Sequence, residues 1–177
     1  MSNVSPFRVN PEALEQRCWN HKLVNVMDKL PRKVQGQAKR DLQDIVYSES
    51  RQEAEAKRDL FVAWCLEEGY GRASETINRD WDRMVTFYQF PKEHWKHLRT
   101  TNVVESPFAA LRLRTDAAKR YKKTENATVV IWKMMMLAEQ RFRKLDSPEK
   151  MKQVFLGVQF KDGVEVKQER EKVLAGV

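Results

Sequence analysis

Residues 99–123 read "RTTNVVESPFAALRLRTDAAKRYKK", and within them the chain turns from near-neutral to strongly basic. Glu105 stands alone among small polar residues at the mouth of the cationic run. Three roles compete for such a carboxylate: helix cap, salt-bridge partner, or metal ligand facing a phosphate. With Asn102 as N-cap, Glu105 falls at the third helical position and closes a capping-box-like pair. With Ser106 as N-cap and Pro107 as the first helical residue, it lies just outside the helix. Either way the acid sits near a helix N-terminus, where the dipole favours the ionised form that a hard cation needs.

The charge around this stretch is uneven. Residues 99–150 hold twelve Lys or Arg against six Asp or Glu, so they carry +6 of the chain's net +8. In residues 112–123, Arg112, Arg114, Lys119, Arg120, Lys122 and Lys123 face one acid, Asp116. Such a run reads either as a solvated helix face or as a track for phosphates, whose neutralisation releases counterions and adds salt-sensitive affinity.

Outside this stretch the 177 residues are 41% hydrophobic and 33% charged, with six Gly and six Pro, which leaves little room for loops. Helix should dominate. Leu23, Val26, Met27 and Leu30 share one helical face before Pro31, preceded by "LEQRCW" (14–19) as a short buried strand. Val34, Ala38, Leu42, Ile45 and Val46 form the next stripe. "SRQE" (50–53) has capping-box spacing ahead of Leu60, Phe61 and Trp64, a run stopped by Gly69 and Gly71. Ile77, Trp81, Met84, Val85 and Tyr88 form a further stripe, closed by "FP" at 90–91, so residues 32–90 read as an all-helical module. In "ATVVIWKMMMLAEQRFRKL" (127–145), Met135, Ala138, Phe142 and Leu145 should cover the buried face of a long helix, broken at "DSP" (146–148). The tail alternates around Asp162-Gly163 as a small hairpin does. Four parts follow: residues 1–31, 32–90, 91–146 and 147–177.

No run approaches the roughly 18 apolar residues of a membrane span, and "MSNVSPFRVN" lacks a signal-peptide core, so the expected location is the cytoplasm with no membrane partner. Cys18 and Cys65 then read as free thiols. Cys18-x-x-His21 and His94-x-x-His97 are two halves of a zinc-like set, but one Cys-x-x-His without a second Cys pair does not predict zinc. A cysteine-protease reading lacks an oxyanion loop and an orienting Asn. No glycine-rich phosphate loop is present, so no nucleotide cofactor is implied.

Several blocks in one order resemble the Mutator-type transposases of bacterial insertion sequences. They are "QRCWNHKLVNVMDKLP" (16–31), "FYQFPKEHWKHLRTTNVVES" (87–106), "FAALRLRT" (108–115) and "VVIWKMMMLAEQRFRKL" (129–145). The resemblance covers about residues 14–165. It implies the C-terminal part of an α/β ribonuclease H-like core, with at most one strand of that core retained, and residues 32–90 as its all-helical insertion. It also implies two Asp and one Glu holding two divalent ions, Mg²⁺ or Mn²⁺, for DNA strand cleavage and transfer. Glu105 matches the third acid and metal ligand. The family's two Asp precede the Cys18-x-x-His21 block, and this sequence has no Asp before Asp28. The chain is therefore read as a C-terminal portion that does not complete the metal site alone. Pro107 departs from the family pattern and bears on the pose of Glu105.

On this resemblance Arg99, Thr100, Thr101 and Asn102 shape the active-site edge. Arg99, Arg112, Arg114, Lys119, Arg120, Lys122 and Lys123 contact DNA, while Cys18 and His21 are structural. The alternative reading is a non-catalytic basic helical module that binds DNA or a full-length transposase, or that self-associates.

Overall fold

The computed structural model describes residues 13–166; the decapeptide read for a signal, and the outer ends of the first and last sequence parts, lie outside them. Nine α-helices are formed among these residues: α1 (Trp19–Met27), α2 (Arg32–Val46), α3 (Arg51–Glu67), α4 (Gly71–Asn78), α5 (Trp81–Met84), α6 (Trp95–Leu98), α7 (Asn102–Ala118), α8 (Thr124–Glu139) and α9 (Lys150–Phe155). A two-stranded hairpin follows, β1 (Phe160–Lys161) and β2 (Val164–Glu165). The protein is predominantly α-helical.

The predicted stripes of α1, α2 and residues 77–88 face one core. Val26, Leu30, Ala38, Leu42, Ile45, Ile77, Met84 and Val85 are buried together, with Trp19, Phe87, Tyr88 and Trp95 as the large members. Burying such side chains is worth about 1.5–3 kcal/mol each, which sets the helix register against individual propensities. Edge-on aromatic contacts order this core, Trp19 against Trp81 and Trp95 against both Phe87 and Tyr88. Lys22 is buried, and its ammonium donates to the carbonyls of Thr76 and Arg79 at 2.9 and 2.6 Å, closing the C-terminal end of α4 from a different helix.

Several expectations change. Residues 14–18 form no strand; they are pinned by Arg17 N–H to the Arg83 carbonyl and by the Gln16 amide to the Met84 carbonyl. Leu60 is 73% exposed, because α3 turns Phe61 and Cys65 inward instead. Gly69 ends α3 with φ +78°, whereas Gly71 opens α4. The stripe from Ile77 to Tyr88 is broken into short pieces at Asp80, whose φ is +61°.

The largest correction concerns α8. It ends at Glu139, so Phe142 and Leu145 leave the helix, and none of its residues is buried. Val129, Trp132 and Met136 are exposed. Of the face that apolar spacing marked, Met135, Ala138 and Leu145 are half-buried and Phe142 is exposed, so the described residues cover it only in part. α8 packs against α7.

At the start of α3, Ser50 Oγ accepts from Glu53 N–H and the Glu53 carboxylate accepts from Glu49 N–H, a capping box displaced by one residue. A third acceptor comes from the hairpin, as Asp162 Oδ1 takes Arg51 N–H at 2.7 Å. Asp162 and Gly163 have φ of +50° and +80°, as a type I′ turn requires. The turn is seated by Lys92 N–H to the Gly163 carbonyl and Gly163 N–H to the Tyr88 carbonyl, with Phe160 buried behind it. This docking stabilises a hairpin too short to persist alone.

Candidate functional site

Glu105 lies in the first turn of α7, whose N-cap is Thr101. Neither sequence-based cap is formed: Asn102 is already helical and makes no side-chain cap, and the helix starts well before Ser106-Pro107. Pro107 is accommodated inside α7, so it does not delay the helix past Glu105. Thr101 sets the pose, donating its hydroxyl to Glu105 Oε1 while its carbonyl accepts Glu105 N–H.

This start is fixed by α1, four contacts running across the two chain segments. Trp19 N–H donates to the Arg99 carbonyl at 2.9 Å, and Thr101 N–H donates to Cys18 Sγ at 3.4 Å. The Asn20 amide donates to Asn102 Oδ1 at 3.0 Å, and His21 Nε2 stands 3.7 Å from Glu105 Oε1. Cys18, His21, Thr101, Asn102 and Glu105 therefore form one cluster, although sequence spacing connected only the pairs inside each segment. The backbone N–H groups that open a helix lack intrahelical partners, and Thr101 spends the N–H that precedes them on sulfur.

The cluster alters its own protonation. Burial would raise the Cys18 thiol, but hydrogen bonds from Thr101 and then His21 outweigh it and bring it down to about 7. The hydrogen bond to Cys18, then the charges of Cys18 and Glu105, push the His21 imidazole above its ordinary value. Cys65, buried without such partners, moves the other way, to about 11.

Among the other predicted residues, Arg112 and Arg114 lie exposed on α7, and Lys119, Arg120, Lys122 and Lys123 are exposed between α7 and α8. Among the described residues none of these six pairs with a carboxylate. Thr100 is half-buried in the turn before α7. Arg99 is placed differently: its guanidinium carbon lies 4.9, 5.2 and 5.3 Å from the ring centres of Phe87, Trp95 and Tyr47, and desolvation lowers its pKa. It is half-buried at the edge of the aromatic cluster.

His94 and His97 do not meet Cys18 and His21. Both turn to the loop before α9, His94 Nε2 lying 3.2 Å from the Ser147 carbonyl and His97 Nε2 accepting from Asp146 N–H at 3.4 Å. Among the described residues, no three His, Cys, Asp or Glu side chains gather as a metal-binding group. A pair of divalent ions therefore does not fit these residues alone, since Glu105 is met by a hydroxyl and an imidazole. Sequence reasoning also passed over "RFR" at 141–143, two cations around an aromatic, which returns to the start of α7 beside Asn102 and Ser106. No described helix is long and apolar enough to cross a membrane.

Comparison with known proteins agrees with the blocks around this cluster. Residues 6–144 match the family model "Transposase, Mutator family". The chain is 40% identical over 154 residues to the transposase for insertion sequence element IST2 of Acidithiobacillus ferrooxidans, covering 87% of this chain and 52% of that protein. It is 35% identical over 155 residues to the transposase for IS6120 of Mycolicibacterium smegmatis, covering 88% and 48%. It is also 35% identical over 121 residues to the transposase for ISRM5 of Rhizobium meliloti (strain 1021), covering 67% and 29%. The chain thus spans about half the length of the first two relatives. No solved structure matches. With a match over most of its length that takes in Cys18, His21 and Glu105, the chain belongs to the Mutator family of transposases.

Proposed function

We propose that this chain supplies the glutamate-bearing part of an insertion-sequence transposase, acting in metal-dependent DNA strand cleavage and transfer. The observation that carries the reading is a half-exposed carboxylate, Glu105, at the start of α7, with six exposed cations further along that helix and just after it that have no carboxylate partners among the described residues. Within this proposal Glu105 is one ligand of a Mg²⁺ or Mn²⁺ pair. Paired ions need clustered carboxylates, so the other acids come from outside the described residues. The same proposal takes residues 32–90 as an insertion in a ribonuclease H-like core and this chain as the core's C-terminal portion. Arg112, Arg114, Lys119, Arg120, Lys122 and Lys123 hold phosphates, positioning DNA without reading its sequence.

The expected behaviour of the chain is sequence-indifferent DNA binding whose affinity falls steeply with salt. With about five phosphates neutralised, log K should fall against log salt with a slope of roughly −4 to −5. Alone, it should not nick DNA in Mg²⁺ or Mn²⁺. Nicking by the chain that Glu105→Ala abolishes overturns the incomplete-site reading.

A second reading, a module that grips DNA or a full-length transposase without catalysis, is favoured by the six exposed cations, which can hold phosphates without any metal. Adding the chain to an active family transposase separates the two. Complementation of a variant of that transposase lacking its own glutamate supports the first, and inhibition without complementation supports the second.

A further inference from the structure

Between α7 and α8 lies a groove of about 660 Å³ that opens beside the Glu105 turn. Its α7 wall is a stripe at four-residue spacing, Asn102, Ser106, Ala110 and Arg114; its floor is apolar, with Met134 and Leu137 of α8. The third wall is the segment that leaves α8, in which Arg141 and Arg143 flank Phe142. Phe142 is 48% exposed, so its ring is half presented to the groove and solvent. Arg114, Arg141 and Arg143 are exposed, and among the described residues none pairs with a carboxylate.

Guanidinium groups without carboxylate partners around an aromatic ring and an apolar floor are suited to a ligand that is both polyanionic and flat-faced. Arginine forks match phosphate oxygens, and an aromatic face stacks with any base. A paired duplex keeps its base faces stacked inside and offers Phe142 nothing. An unpaired strand offers both features. Resting on the DNA reading above, we propose that this groove binds single-stranded DNA, its bases against Phe142 and the α8 floor and its phosphates on Arg114, Arg141 and Arg143. The groove begins at Asn102 and Ser106, in the same first turns of α7 that carry Glu105.

The test is fluorescence-anisotropy binding of an oligothymidylate of about twelve nucleotides, with a duplex of the same length alongside. Phe142→Ala should weaken the single strand about tenfold and the duplex by less than about twofold, while Phe142→Trp keeps single-strand affinity. Arg141→Gln with Arg143→Gln should weaken the single strand more than the duplex, whereas Lys122→Gln with Lys123→Gln weakens both alike. Phe142 lies outside the helical core, and unchanged circular dichroism of each variant verifies folding. A 5-iodouracil-containing strand should photocrosslink to residues 140–143. Equal losses for strand and duplex, no loss in Phe142→Ala, or equal competition by an acidic peptide overturns the groove assignment and leaves the DNA reading standing. Failure to bind either nucleic acid overturns both.

Discussion

His21 Nε2 of α1 stands 3.7 Å from Glu105 Oε1 of α7, and this pair ties the Cys-x-x-His segment to the acid of the cationic stretch. The hydrogen bond to Cys18 is the largest cause of the raised His21 pKa, with the Cys18 and Glu105 charges behind it. A raised imidazole stabilises the fold fully below its unfolded value near 6.5, and that contribution is lost as pH rises through the folded value. An NMR titration should place His21 above 6.5, with Cys18→Ala lowering the midpoint more than Glu105→Gln. A midpoint at or below 6.5, or the reverse order, contradicts this geometry.

The two thiols should separate cleanly by reactivity. Alkylation of Cys18 should rise with pH about a midpoint near 7, while Cys65, raised to about 11, stays unreacted in the folded chain. Mass spectrometry after brief iodoacetamide exposure at neutral pH reads both. Equal labelling would show that Thr101 and His21 do not hold the Cys18 sulfur as described.

Gly163 tolerates no side chain. An added Cβ would lie 2.6 Å from Lys92 Cβ and 3.0 Å from Lys92 Cα, at a φ that disfavours other residues. Gly163→Ala should cost about 2 kcal/mol or more in urea denaturation. A loss under about 0.5 kcal/mol would mean that the turn is not seated against Lys92 and Trp95.

Arg99 and the exposed cations should separate in two assays. Arg99→Ala removes a desolvated guanidinium from contact with three rings and should lower stability by about 2 kcal/mol, with the salt slope of DNA binding unchanged. Lys122→Ala should leave stability within about 0.5 kcal/mol and reduce the slope by about one. A reduced slope in Arg99→Ala would return that residue to the phosphate contacts.

The helical stripes were legible because burial repeats at the helical period, and Val26, Leu42, Ile45 and Ile77 are buried as spaced. The Asp162-Gly163 turn was legible because few residue pairs accept two positive φ values. The start of α7 was not, because a contact from Cys18 helps to set it, and local cap rules carry no information about a distant sulfur. α8 misled for another reason: apolar spacing says that a face is to be covered, never by what. In the site, Glu105 and Cys18-x-x-His21 were each visible in the sequence, but their proximity depends on how α1 meets α7. Arg99 looked like its basic neighbours until Tyr47, Phe87 and Trp95 were seen around it.

The Asp162 carboxylate that closes the start of α3 lies 111 residues after Arg51 in the chain. On a ribosome adding about 5–20 residues per second, the nascent α3 therefore waits roughly 5–20 s for its last partner. During that interval the amide of Arg51 belongs to water, and the Tyr88 carbonyl awaits Gly163. Completion of the helical core is thereby coupled to synthesis of the hairpin, so chains released before that point lack this fastening.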